Sequence, residues 1–133
     1  MRFEAVVRSA ACCAALLAAG AANAHHSFAS QYDANAPVKL EGVVTKVEWT
    51  NPHARFYIDV ADEDGAVTSW NLELASPNVL RRNGWNRDSL KVGDRVTVEG
   101  SMARDGSKMA NARVVMLADG TRVFARDPAD ERR

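Results

Sequence analysis

The clearest signal in this chain is a strict alternation of apolar and polar positions. In ARFYIDV, residues 54–60, Phe56, Ile58 and Val60 alternate with Arg55, Tyr57 and Asp59. In SWNLEL, residues 69–74, Trp70, Leu72 and Leu74 alternate with Ser69, Asn71 and Glu73. DRVTVEG, residues 94–100, repeats the pattern with Val96 and Val98. A period of two predicts strands that bury one face. VKLEGVVTKVEW, residues 38–49, changes phase: Val38 and Leu40 share one parity, Val43, Val47 and Trp49 the other, and Gly42 stands at the change. This predicts a bulge or bend at Gly42, by which one long strand passes between sheets, as a small closed barrel requires.

The punctuation agrees with that reading. Asp64-Gly65, Asp105-Gly106 and Asp119-Gly120 each tolerate the positive φ of a tight hairpin turn and so predict antiparallel neighbours. Ser76 can cap a helix, Pro77 suits its first position and Gly84 its end, which predicts one short helix over 77–83. The resulting order, β-β-β-α-β-β, is that of the OB-fold. The expected fold class is therefore all-β with one short helix: a small, five- to six-stranded, antiparallel OB-like barrel.

The first 24 residues read differently. Arg2 and Arg8 precede an apolar run from Ala10 to Ala19, and Ala22-Asn23-Ala24 follows, which is the pattern of a cleaved secretory signal peptide. The run is too short for a membrane span. Cys12 and Cys13 lie inside it rather than after it, so they fit no lipid attachment point and leave with the leader. The expected organisation is a signal peptide at 1–24, an extended segment at 25–37, the barrel at 38–126 and a polar tail at 127–133. Removing 24 of 133 residues leaves 109, enough for one modest core, with no cysteine and no disulfide. The expected location is the periplasm or outside the cell, with no membrane anchor after cleavage.

Charge bears on partners. Without Arg2, Glu4 and Arg8 the chain carries 15 basic and 16 acidic residues. Proteins that live on nucleic-acid backbone are normally basic, so the expected partner is a periplasmic protein or small ligand and not a nucleic acid.

The stretches HHSFASQYD, GVVTKVEWTNPHARFYIDV and SPNVLRRNGWNRDSLKVGDRVTVEG, continuing to Phe124, resemble a family of small exported bacterial proteins of unknown function. The resemblance covers His25 to about Phe124 and is carried by WTNPH, NGW and GDRVTVEG. It implies secretion and a small β-barrel, and it implies no activity.

Catalysis finds little support in the mature residues. They include no cysteine nucleophile, Gly-rich phosphate loop, nucleophile elbow or paired helical histidines. Glu48, Asp59 and Glu73 are the carboxylates that cross-strand pairing could bring together for acid–base work; as charged outer faces of strands they need no such role. A non-enzymatic binding or accessory module is expected. The aromatic residues offer one site: Tyr57 and Trp85, with Arg81 and Arg82, as an exposed platform for a small ligand, oligosaccharide or peptide, while Trp49 and Trp70 fall on the apolar phase. Met102, Met109 and Met116 are spaced by seven, which has no meaning in strands, and read as packing residues rather than copper(I) ligands.

The histidines offer another site. Cleavage after Ala24 would give His25 a free α-amine beside its imidazole, and His26 adds a second ring. These nitrogens lose little to proton competition near neutral pH. Without thiolate they suit copper(II), nickel or zinc, with copper favoured by the stability order. His53 follows the turn-forming Asn51-Pro52 and is the third candidate ligand.

Overall fold

The structure, a computed structural model, describes residues 28–124. The chain divides into two compact units, Met1–Gln31 and Tyr32–Arg133. Of the first, only a single helical turn at 28–31, α1, is described. It falls in a stretch expected to be extended, where Ala29 and Gln31 are good helix formers.

The second unit is a barrel. Its elements are β1 (Tyr32–Glu48), β2 (Arg55–Ala61), β3 (Val67–Glu73), α2 (Pro77–Arg82), β4 (Arg95–Ala103), β5 (Met109–Leu117) and β6 (Arg122–Phe124). The sheet order is β3-β2-β1-β4-β5-β6, with every neighbouring pair antiparallel. The circuit closes where Asn71–Glu73 of β3 run parallel to Met109–Asn111 of β5. Closure of five strands in this order, with a helix between β3 and β4, is the OB-fold. The alternation of single strands could not show that the closing pair is parallel.

β1 holds the barrel together by serving two partners. Tyr32 to Val43 pair with β4, and Val43 to Glu48 with β2. Gly42 stands at this hand-over because β2 passes close by: a Cβ there would lie 2.5 Å from the carbonyl oxygen of Asp59. The phase change, however, occurs elsewhere. The register shifts between Val44 and Lys46, leaving Thr45 as the extra residue. Leu40 and Val44 are buried on one parity, and Val47 and Trp49 pack against the core on the other. The bend expected at Gly42 is thus divided between a close strand contact there and a bulge at Thr45. Val43, expected to share the parity of Val47 and Trp49, precedes the bulge and is only half-buried. β1 also begins at Tyr32, six residues before the expected start, because Tyr32 pairs with Ala103 across an irregular 33–36 segment.

All three Asp-Gly pairs form the hairpin turns expected of them, with Gly65, Gly106 and Gly120 at positive φ. α2 starts where its cap predicts: Ser76 Oγ accepts from Val79 N–H at 3.4 Å, and Pro77 opens the first turn. Its buried Leu80, with Trp85 and Leu90 from the following loop, joins Phe56, Ile58, Trp70, Leu72 and Val98 in one core.

Candidate functional site

Two rows of side chains cross the outer face of the barrel, and the register dictates both. Lys46 pairs with Tyr57, Tyr57 with Asn71, and Asn71 with Met109. One step along, Glu48 pairs with Arg55, Arg55 with Glu73, and Glu73 with Asn111. Phe56, Ile58, Trp70 and Leu72 point inward between them, so alternation sends these rows outward. The β1–β2 loop, which carries Pro52 and His53, borders the second row. The face of strands 2 and 3 with this loop is where OB barrels hold ligands.

Glu73 organises the second row. It is 5% exposed and is the one buried charged side chain among the described residues. A buried carboxylate is tolerated only when its oxygens are satisfied. Arg55 Nη2 and Tyr32 Oη both donate to Oε2, the latter at 3.1 Å, and His53 Nδ1 lies 3.1 Å from Oε1. Arg55 is fixed in turn by Asn71, whose Oδ1 accepts from Nη1 at 3.2 Å. Tyr32 is itself buried, and burial together with the charge of Glu73 pushes its phenol up to about 12. It therefore remains a hydrogen-bond donor at neutral pH. The His53 side chain is 45% exposed. Its Nδ1 faces the carboxylate, which leaves Nε2 as the ring nitrogen available to a ligand.

The first row is more open. Lys46 Nζ lies 5.3 Å from the centre of the Tyr57 ring, within cation–π range. It also pairs with Glu48, to which Tyr57 Oη donates at 3.3 Å. The Glu48 carboxyl is held below the usual range, chiefly by Lys46.

The candidate residues meet different fates. His53 occupies the loop expected for it. His25 and His26 lie outside the described residues. Among those that are described, no three His, Cys, Asp or Glu side chains form a metal-binding group. Glu48 and Glu73 share a row, but Arg55 stands between them and pairs with Glu73 while Lys46 pairs with Glu48, so they are not a bare carboxylate pair; Asp59 is exposed elsewhere on β2. Tyr57 is half-buried on the outer face, and Arg81 and Arg82 are exposed at the end of α2. Trp85 corrects an expectation: it is 3% exposed and packs in the core. Its backbone N–H bonds to Leu80 O at 2.9 Å, folding the loop back over the helix and taking the indole inward. Trp70 is buried as its phase required, and Trp49 packs against the core. Tyr32 and Arg55 escaped the sequence reading. A polar partner for Glu73 at 41 residues' separation leaves no local signal.

The sequence profile of the family of unknown function DUF6152 matches residues 14–112. No curated protein matches the sequence. Among solved structures, the chain is similar to the mitochondrial single-stranded DNA-binding protein Rim1 of S. cerevisiae. The TM-score is 0.49 at 13% identity, covering 62% of this chain and 93% of that one. It is also similar to the N-terminal domain of the PriB protein from Thermoanaerobacter tencongensis, with a TM-score of 0.41 at 22% identity over 63% of this chain and 97% of that one. The expectation that nucleic acid is excluded as a partner is corrected here: one of the solved structures that the chain is similar to is a single-stranded DNA-binding protein, and the charge balance gives no ground for the exclusion. A balanced total charge is a sum over the whole surface and does not describe one face.

Proposed function

The chain belongs to DUF6152, a family of unknown function, and from the geometry at Glu73 we propose that it is an exported, non-catalytic binding module that takes a divalent metal through His53. The observation that carries this reading is the approach of His53 Nδ1 to a buried carboxylate on a ring that is otherwise half exposed. Metal-binding histidines are commonly oriented in this way: a carboxylate takes the N–H of one nitrogen, fixing the tautomer and presenting the lone pair of the other. Glu73, held by Tyr32 and Arg55, is suited to that supporting role and poorly suited to act as a base. The leader pattern supports export, to the periplasm or beyond. It also supports an amino terminus at His25, whose α-amine and imidazole, with the ring of His26, would supply further nitrogen donors. An all-nitrogen set favours copper(II).

Calorimetric titration of the mature form with copper(II) tests the reading. One ion per chain is expected, with affinity reduced about tenfold or more by His53→Ala, by His26→Ala, and by one residue added before His25. Equal, weak binding by the mature, extended and triple-histidine-replaced proteins would overturn it.

The row Lys46, Tyr57, Asn71 favours a second reading, in which a small ligand, oligosaccharide or peptide lies across the outer face with no metal. Tyr57 supplies a ring and its neighbours supply donors and acceptors, while Arg81 and Arg82 remain exposed on α2. Capture on an oligosaccharide or peptide panel that is lost in Tyr57→Ala and kept in His53→Ala would select this reading.

A further inference from the structure

We propose that Tyr32 is a positioning residue for His53, acting through Glu73: its hydroxyl fixes the plane of the carboxylate that orients the imidazole. The relevance to ligand binding rests on the metal reading of His53; the geometry stands by itself. Tyr32 opens β1 and pairs with Ala103, while the next pair is Pro37 with Ser101, so residues 33–36 leave the ladder. Asp33 closes that excursion by accepting from Asn35 N–H at 3.0 Å, and it faces Arg104 at 3.7 Å. The phenol is thereby held almost fully buried at Glu73.

The terminal torsion of a glutamate is broad and has no sharply preferred setting. With Arg55 as its sole donor, the carboxylate could swing about that contact and carry Oε1 away from His53. Tyr32 and Arg55 approach the same oxygen, Oε2, from β1 and β2, and two donors of different origin leave one orientation. Oε1 then faces Nδ1 of His53. Since the tautomer of a histidine follows the hydrogen bond made by one of its nitrogens, a hydroxyl two contacts away sets which nitrogen of His53 is free. A tyrosine retained only to fill space would do this equally well as phenylalanine.

The test is ¹⁵N NMR of histidine-labelled, metal-free mature protein at a pH where the His53 ring is neutral. Wild type is expected to show a protonated Nδ1 and a bare Nε2. Tyr32→Phe should move the tautomer balance measurably towards Nε2–H and weaken copper(II) binding about three- to tenfold. Glu73→Gln, which keeps the shape and removes the charge, should move the balance further. Should Tyr32→Phe fail to fold, 3-fluorotyrosine at both tyrosines keeps the bulk and strengthens the donor; the His53 shifts must then move. Unchanged imidazole shifts in a folded Tyr32→Phe or fluorotyrosine protein would overturn the proposal. If His53→Ala leaves copper binding intact while Tyr32→Phe still moves the ¹⁵N shifts, the metal reading fails and the positioning stands.

Discussion

On the inward face of β2 and β3, Phe56, Ile58, Trp70 and Leu72 are buried in apolar contact; on the outward face, Arg55, Asn71 and Glu73 are joined by hydrogen bonds and charge, while Tyr57 meets Lys46 and Glu48. Alternation alone would call the first face core and the second solvent. Yet Glu73 is 5% exposed, against 6% for Trp70. The outward face is therefore of two kinds: a closed row around Glu73 and an open row around Tyr57. Burial on the inner face needs only apolar side chains of suitable volume. Burial at Glu73 needs named partners, and is correspondingly specific.

The comparison can be broken first at the core. Phe56→Ala empties a site with no exposure at all and is expected to cost about 3–5 kcal/mol, read as a fall in the urea midpoint at unchanged slope. For a chain of this size that is a large part of total stability. A loss below about 1 kcal/mol would mean that the inner face of β2 is not the centre of packing.

Glu73→Ala attacks the closed row and should rank second, at about 2–3 kcal/mol. It leaves the buried Tyr32 hydroxyl without this acceptor and the largely covered Arg55 without its carboxylate; His53, nearly half exposed, loses less because water takes over. If Glu73 behaved as an ordinary outward strand residue, the substitution would be neutral.

How much of this was legible beforehand follows from range. Phe56 with Ile58, and Trp70 with Leu72, announced themselves because the members of each pair sit two residues apart, and Ser76-Pro77 and the three Asp-Gly pairs because caps and turns are local chemistry. The bulge at Thr45 was blurred onto Gly42 because both lie where β1 changes partner. Trp85 read as exposed since Asn83-Gly84 marks a loop, and nothing local says that the loop folds back on Leu80. His53 was found from its turn, but its partner was not, because Tyr32, His53, Arg55 and Glu73 meet only after the barrel closes.

Tyr32→Phe removes one hydroxyl from the closed row and is expected to cost about 1 kcal/mol. Burial of the phenol beside the charge of Glu73 also carries a pH signature. A phenol ionises near 10 in the unfolded chain, and Tyr32 ionises at about 12 in the fold. The folded state keeps the proton longer, so its stability contribution is complete below pH 10 and is lost as pH rises from 10 to 12. Denaturant midpoints across that window should fall more steeply for wild type than for Tyr32→Phe, and parallel curves would refute the assignment.

The open row supplies the smallest effect. Lys46 pairs with Glu48 and lies over Tyr57, an arrangement that resembles a network when drawn, yet the lysine is exposed on the barrel surface. Water and salt screen such a pair, and holding two long side chains in one geometry offsets most of the attraction. Lys46→Gln is therefore expected to leave the urea midpoint unchanged within error. It should nevertheless release the Glu48 carboxyl upward towards the ordinary range, since the hydrogen bond from Lys46 is the main cause that holds it low. Carboxyl chemical shifts followed through an acid titration would detect that release. A clear drop in midpoint on removing Lys46 would show that the open row is structurally committed, as the Glu73 row is, and would abolish the distinction between them.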